Sequence, residues 1–148
     1  MIKTLIDLLI SALIVTLLVV LVSTSSNLIW LSSMNMPINF NLALSTFFKD
    51  VIGMNFSSQI PLFILISLPL ILCLFLAKVS LKNLYKNKIY FYSLTGAIAV
   101  LGLMLLLPLA FGNVEPISGS RTSIGKICMT ICGFIGGYYF GFRQKKED

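Results

Sequence analysis

The chain has 148 residues, of which 57% are hydrophobic and 11% are charged, and its formal net charge is +6 at pH 7. Soluble domains carry about 25% charged residues, so this composition excludes an ordinary water-soluble fold and indicates a single membrane domain, residues 1–148. The chain has no histidine, which excludes histidine-ligated haem, histidine-based zinc sites and histidine general bases.

Four long apolar runs follow one another along the sequence, at about residues 5–22, 60–77, 89–111 and 124–142. An α-helix rises 1.5 Å per residue, so about 20 residues cross a hydrocarbon core roughly 30 Å thick. The runs therefore predict an all-α integral membrane protein, built as a four-transmembrane-helix bundle.

The connection between the first two runs contains a further predicted helix, at about residues 41–52. Asn39 or Asn41 is expected to cap its start, and Gly53 to lie just past its end. Its apolar side chains fall on one side and its polar side chains on the other, which is typical of an amphipathic helix. We expect it on the outer (periplasmic) face, flat on the membrane or capping the bundle. A lid or partner-docking helix is the alternative.

Positive charges are concentrated in three segments of the sequence. The positive-inside rule places these segments, and hence both termini, in the cytoplasm. An even number of spans gives the same orientation. The Ile-, Asn- and Lys-rich, Ala-poor composition hints at an AT-rich bacterial genome, and the expected location is a bacterial inner (cytoplasmic) membrane. The residues that carry this argument are Lys3, then Lys78, Lys82, Lys86 and Lys88, and finally Arg143, Lys145 and Lys146. Asp7 is expected to be a helix-N-terminal carboxylate or a partner for a cytoplasmic lysine.

The second outer connection, residues 112–123, places two cations at the start of the fourth run. Arg121 and Lys126 face the positive end of a helix dipole there, on the side that the positive-inside rule disfavours. The compensating charge is expected from Glu115, from Asp50 or from an anionic ligand. Lys126 alone also fits a side chain that snorkels to lipid phosphates. The full candidate set for ligand binding is Arg121, Lys126, Glu115, Ser118, Ser120, Lys49 and Asp50.

Small residues recur along the fourth run, where Ser118, Ser120 or Thr122 is expected to cap the helix. Glycines spaced four apart let two helix backbones approach closely in lipid. The ridge is expected to pair the third and fourth spans within the chain, or to form an interface with another copy or another membrane protein. The candidate packing residues are Gly125, Gly133, Gly136, Gly137 and Gly141.

These features predict a non-enzymatic protein that acts by helix association, as an accessory or assembly subunit or as a self-associating bundle. The alternative is a binder or carrier of an anionic lipid or small amphiphile at the basic outer pocket. An enzyme acting on lipid headgroups is a third interpretation, but it lacks histidine and paired intramembrane carboxylates. No cofactor and no metal is expected. The expected partners are the bilayer, an anionic lipid, and the protein itself or another membrane protein. Nucleic acid is excluded, because the cations lie at helix ends.

Overall fold

The computed structural model describes residues 2–57, 60–80, 88–112 and 115–145. This part of the chain is helical and contains no β-strand. The five α-helices are α1 (Ile2–Ser33), α2 (Phe40–Ile52), α3 (Leu62–Ser80), α4 (Lys88–Ala110) and α5 (Ser123–Lys145). A π-helix (Gly53–Ser57) continues α2, and a 3₁₀ helix (Ser118–Arg121) precedes α5. Lys82, Lys86 and residues 146–148, which entered the charge argument or belong to the charged tail, lie outside the described residues.

Three of the described helices are long and apolar enough to cross a membrane: Lys3–Ser33, Leu62–Ser80 and Lys88–Ala110. The sequence predicted four such helices. The fourth, α5, forms over 23 residues close to the predicted span, but it is less apolar than the other three. Its glycines contribute little apolar surface, and Lys126, Arg143 and Lys145 lower its mean hydropathy further. Composition and length alone therefore do not identify α5 as a membrane-spanning helix.

The first helix does not end near residue 22 as predicted, but continues to Ser33. It stops at a left-handed turn at Asn35, whose φ is 57°. The backbone N–H of Met36 bonds the carbonyl of Leu31, and that of Asn35 bonds the carbonyl of Ser32. This is the Schellman arrangement, in which Asn tolerates positive φ better than most residues. The serines from residue 23 onward therefore lie within α1 and not in the connection that follows it.

The helix predicted at residues 41–52 is present as α2, and Gly53 lies just past its end as predicted, but no asparagine side chain caps its start. Asn39 precedes α2 in an extended conformation, and its side chain makes no capping hydrogen bond. Gly53 is right-handed, with φ −61°, and leads into the π-helix instead of ending the segment. Asn55 in the π-helix donates from Nδ2 to the carbonyl of Val51 and accepts the backbone N–H of Phe63. One amide thus joins the end of the α2 segment to the start of α3.

The buried core lies between α1, α3, α4 and α5. Helix α5 packs against α4 over most of its length and also against α1, while α3 packs against α1 and α4. The ring of Phe140 on α5 meets that of Tyr92 on α4 edge to face, with 5.2 Å between ring centroids. Further fully buried side chains come from α1 (Val15), α3 (Ile66) and α4 (Val100).

Candidate functional site

Polar side chains join several elements at the end of the molecule opposite the start of α1 and the end of α5, called the loop end below. Thr24 on α1 donates its hydroxyl to Oδ2 of Asp50 on α2 at 2.7 Å. One residue earlier, the hydroxyl oxygens of Ser23 and Ser118 lie 2.7 Å apart in a hydrogen bond. Both contacts fall at one level of α1, so Ser23 and Thr24 tie α2 and the 3₁₀ helix to the first helix.

The same end contains the ion pair between Lys126 and Glu115. Nζ of Lys126 donates to Oε1 of Glu115 at 2.7 Å, and both side chains are partly buried. Lys126 lies in the first turn of α5, where a positive charge is unfavourable beside the helix dipole. The negative charge that balances Lys126 was expected from Glu115, from Asp50 or from an anionic ligand. The structure places Glu115 beside this lysine, while Asp50 bonds Thr24.

The remaining candidate residues are not drawn into one pocket by the described contacts. Ser120 is buried and donates its hydroxyl to the carbonyl of Ile117 at 2.8 Å. Lys49 and Arg121 are exposed. Of the three residues expected to cap α5, Thr122 does so, since its hydroxyl oxygen accepts the backbone N–H of Gly125 at 3.0 Å. Ser118 and Ser120 instead lie in the 3₁₀ helix.

Two apolar cavities lie beside these polar contacts. The first, of about 300 Å³, is formed where α3, the π-helix and the connection between α4 and α5 meet. The second, of about 390 Å³, lies between α1, the π-helix and α3. Pro116 and Ile117 line the first cavity, so its wall continues directly from Glu115 along the chain. The other lining residues of the first cavity are Met54, Ile60, Leu62, Leu65 and Phe111.

Sequence reasoning missed three residues that organise this end: Ser23, Thr24 and Asn55. The serine and threonine belong to a polar run that follows the first apolar stretch, and the predicted span ends at about residue 22, just before them. A polar run within a helix becomes recognisable only when its partners are known, and Asp50 and Ser118 are distant in sequence. Asn55 carries no local signal, because its role depends on how α3 begins.

A second polar layer lies where the first turns of α1 meet the last turns of α5, called the termini end below. Arg143 on α5 donates from Nε to Oδ1 of Asp7 on α1 at 3.0 Å, and Asp7 is only 2% exposed. Lys78 at the end of α3 donates to the hydroxyl of Thr4 at 2.8 Å. The sequence suggested a lysine as the partner of Asp7, but the structure places Arg143 there. Lys78 instead bonds the neutral hydroxyl of Thr4.

The glycine ridge of α5 faces α4 within the chain. A Cβ on Gly133 would lie 2.5 Å from the carbonyl oxygen of Gly96, and one on Gly137 would lie 2.9 Å from Cα of Ser93. Gly141 faces Ile89 in the same way, at 3.0 Å from its Cα. Of the two expected pairings, the ridge thus packs inside the chain and is not left open to a partner.

The two other candidate packing glycines contact different elements. Gly136 faces α1, where its carbonyl accepts the hydroxyl of Ser11 at 2.8 Å. Gly125 lies against the backbone of Gly119 and the side chain of Thr122. Close backbone approach in α5 therefore serves three neighbours: α4, α1 and the 3₁₀ helix.

Comparison with known proteins gives no relative from which a role could be transferred. No protein-family model, no curated protein and no solved structure matches this chain. Within the described residues, no three His, Cys, Asp or Glu side chains come together as a metal site. The chemistry of the loop end therefore has to be argued from its own residues.

Proposed function

We propose that all four of the helices α1, α3, α4 and α5 cross a membrane, with both termini on the cytoplasmic side. The spacing of the two polar layers supports this. Asp7 and Thr24 belong to opposite layers, and their separation along α1 is about 25 Å at the helical rise. That distance is close to the thickness of a hydrocarbon core. Helix α5 contributes to both layers, through Lys126 and Arg143, so it crosses the same interval as α1.

Hydroxyl groups between the two layers support the same placement. Thr16 bonds the carbonyl of Ala12, and Ser93 bonds the carbonyl of Ile89, each four residues earlier on its own helix. Ser11 bonds the carbonyl of Gly136 across helices. A polar group in lipid has no water to bond, so it must find its partner inside the protein. Each of these three hydroxyl groups therefore has a hydrogen-bond acceptor within the protein, between the two polar layers.

We further propose that the protein binds an anionic amphiphile at the loop end and does so without catalysing a reaction. The observation that carries this proposal is the apolar cavity of about 300 Å³, whose lining includes Pro116, the residue directly after Glu115. An amphiphile needs an apolar space for its chain and a cation for its headgroup. The loop end has both, with Arg121 four residues beyond Ile117 of the cavity wall.

Lys126 and Arg121 have different roles in this proposal. Lys126 is already paired with Glu115 at 2.7 Å, so its charge is largely compensated. Arg121 is exposed and makes no ion pair among the described residues. Its planar guanidinium presents several donors in a fork that matches phosphate oxygens. The headgroup therefore contacts Arg121, while the Lys126–Glu115 pair shapes the polar rim.

The hydrogen-bond partners of the carboxylates support a binding role and not a catalytic one. Asp7 bonds Arg143, Asp50 accepts from Thr24, and Glu115 bonds Lys126. A general acid or base has to reach a substrate proton, and each of these groups is engaged by a neighbour. The association role expected from the sequence rested on the glycine ridge, which packs against α4 within the chain. The cavity therefore favours amphiphile binding.

The test is native mass spectrometry of the protein released from nanodiscs that contain phosphatidylcholine and phosphatidylglycerol in equal amounts. Wild-type protein should retain phosphatidylglycerol in preference to phosphatidylcholine. Arg121→Gln should lose this preference. Lys49→Gln removes another exposed cation from the loop end and should leave the preference intact.

A third variant tests the cavity separately from the charge. Leu65 lines the cavity, and Leu65→Trp fills part of that space while leaving Arg121 in place. Retention should fall in Leu65→Trp as well. Equal retention of both lipids by wild type, or equal losses in Arg121→Gln and Lys49→Gln, would show that no specific site exists.

A further inference from the structure

The chain beyond the loop-end polar layer is long and carries no charge. From Ser25 to Phe48 the sequence contains no Asp, Glu, Lys or Arg. The segment comprises the last part of α1, the turn at Asn35 and most of α2. It is called the outer excursion below. Solvated segments of this length normally carry charges, since charged residues make up about a quarter of a soluble protein.

The outer excursion is also apolar and exposed on more than one side. Ile29 is 71% exposed, Trp30 60% and Phe40 80%. Ile29 and Trp30 are neighbours on α1, so their side chains point about 100° apart around the helix axis. On α2, the exposed large side chains include Leu42, Leu44 and Phe48. A partner protein would cover one face, whereas exposure in several directions fits a segment surrounded by lipid.

The length of α1 fits the same environment. Ile2–Ser33 rises about 48 Å at 1.5 Å per residue. A whole bilayer, including both headgroup layers, is about 40–45 Å thick, and spanning helices tilt by about 20° on average. Helix α1 therefore covers the full bilayer, and its last part reaches through one headgroup layer. Helix α2 returns to the polar layer at Asp50, so the excursion stays within that depth.

We propose that the outer excursion is seated in the headgroup layer of the leaflet at the loop end, with Trp30 as its anchor. Tryptophan and other amphipathic aromatic side chains favour this layer, where one part of the ring is apolar and the N–H reaches a polar partner. The exposed side chains of Asn35, Asn39 and Asn41 bond headgroups and water. The hydroxyls of Ser25, Ser33 and Ser45 donate to carbonyls of their own helices. This inference rests on the proposed membrane crossing, but not on the amphiphile site.

Trp30 is the only tryptophan in the chain, so the intrinsic fluorescence of the unmodified chain reports the surroundings of this residue. The protein is reconstituted in phosphatidylcholine vesicles that contain either a headgroup nitroxide lipid or a lipid brominated near the ends of its acyl chains. Iodide serves as the aqueous quencher. We expect strong quenching by the headgroup label, weak quenching by the deep bromines, and little quenching by iodide.

A control variant separates this inference from the proposed crossing. Ile98 lies in the middle of α4 and is 61% exposed. In the double variant Trp30→Phe, Ile98→Trp, the deep bromines should be the strongest quencher. If they are not, the proposed crossing fails.

With that control satisfied, two results for Trp30 overturn the inference alone. Quenching chiefly by iodide would place the excursion in water. Shielding from all three quenchers would show that protein, either a second copy or another chain, covers it.

Discussion

Arg143 and Asp7 lie 136 residues apart in sequence, yet Nε of the arginine is 3.0 Å from Oδ1 of the aspartate. The pair joins the last helix to the first at the termini end. Its two members are buried unequally: Asp7 is 2% exposed, whereas the Arg143 side chain is 49% exposed. Since the guanidinium can reach water and the carboxylate cannot, the two halves of the pair should not be equivalent in their effect on stability.

The first prediction follows from this asymmetry. Arg143→Met leaves a buried carboxylate without its counter-charge and should lower the free energy of unfolding by roughly 3 kcal/mol. Asp7→Asn keeps an acceptor oxygen and leaves an arginine that can turn to water, so it should cost only about 1 kcal/mol. Thermal unfolding in detergent micelles measures both. Lys145→Met, an exposed cation on the same helix, should change stability by less than about 0.5 kcal/mol. Equal losses in the first two variants would contradict the argument.

The second prediction concerns the contact between α4 and α5. A methyl group on Gly137 would meet backbone atoms of Tyr92 and Ser93, which cannot turn away. Gly137→Ala should therefore destabilise the protein by about 1–3 kcal/mol. A methyl group on Gly102 of α4 would have no other atom within 4 Å, so Gly102→Ala should be neutral or stabilising by up to about 1 kcal/mol. Chemical unfolding in micelles gives both values, and a neutral Gly137→Ala would show that the two helices are further apart than the contacts of Gly137 imply.

The third prediction compares two asparagines. Asn55 bonds the carbonyl of Val51 and the N–H of Phe63, at 2.8 and 2.9 Å. Asn55→Ala leaves both groups without this partner and should cost about 1–2 kcal/mol. Asn39 occupies the cap position of α2 without a capping bond, so Asn39→Ala should cost no more than a few tenths of a kcal/mol. A larger loss at Asn39 than at Asn55 would reverse the two roles.

The fourth prediction tests orientation. In a variant whose three cysteines are replaced by alanine, single cysteines at Lys3 and Lys145 should react with a membrane-impermeant maleimide only after the membrane is opened. A single cysteine at Asn35, in the turn after α1, should react in intact spheroplasts. Reaction of Lys3→Cys and Lys145→Cys from opposite sides would mean that α5 does not cross, and that only three helices span the membrane.

Much of the helical organisation could be predicted from the sequence. The apolar runs at residues 60–77, 89–111 and 124–142 agree closely with α3, α4 and α5. Long apolar runs favour helices of that length, and α3 and α4 form although Pro69 and Pro108 lie inside them. The helix near residues 41–52 was also predicted correctly, since its periodicity is local. The cap at Thr122 was among the three residues expected, because capping depends on near neighbours.

Helix ends and polar pairings could not be predicted in the same way. The first helix continues to Ser33, and Ser23 and Thr24 within it bond residues of other elements, Ser118 and Asp50. The partner of Lys126 was limited by the sequence to a few acidic groups, and packing decided that it is Glu115. The second layer, with Arg143 on Asp7, depends on helices that meet only after the chain has folded.

Hydropathy and helix length are properties of consecutive residues, so the amino-acid order is sufficient to assign this chain to the helical class, with three segments that suit a membrane. The tertiary structure decides which surfaces are buried and which remain exposed. The fold packs the ridge of Gly133, Gly137 and Gly141 against α4, joins the loops through Ser23 and Thr24, and leaves the outer excursion exposed. Burial and hydrogen bonding depend on residues that are distant in sequence, and these come within a few ångströms of one another only in the folded chain.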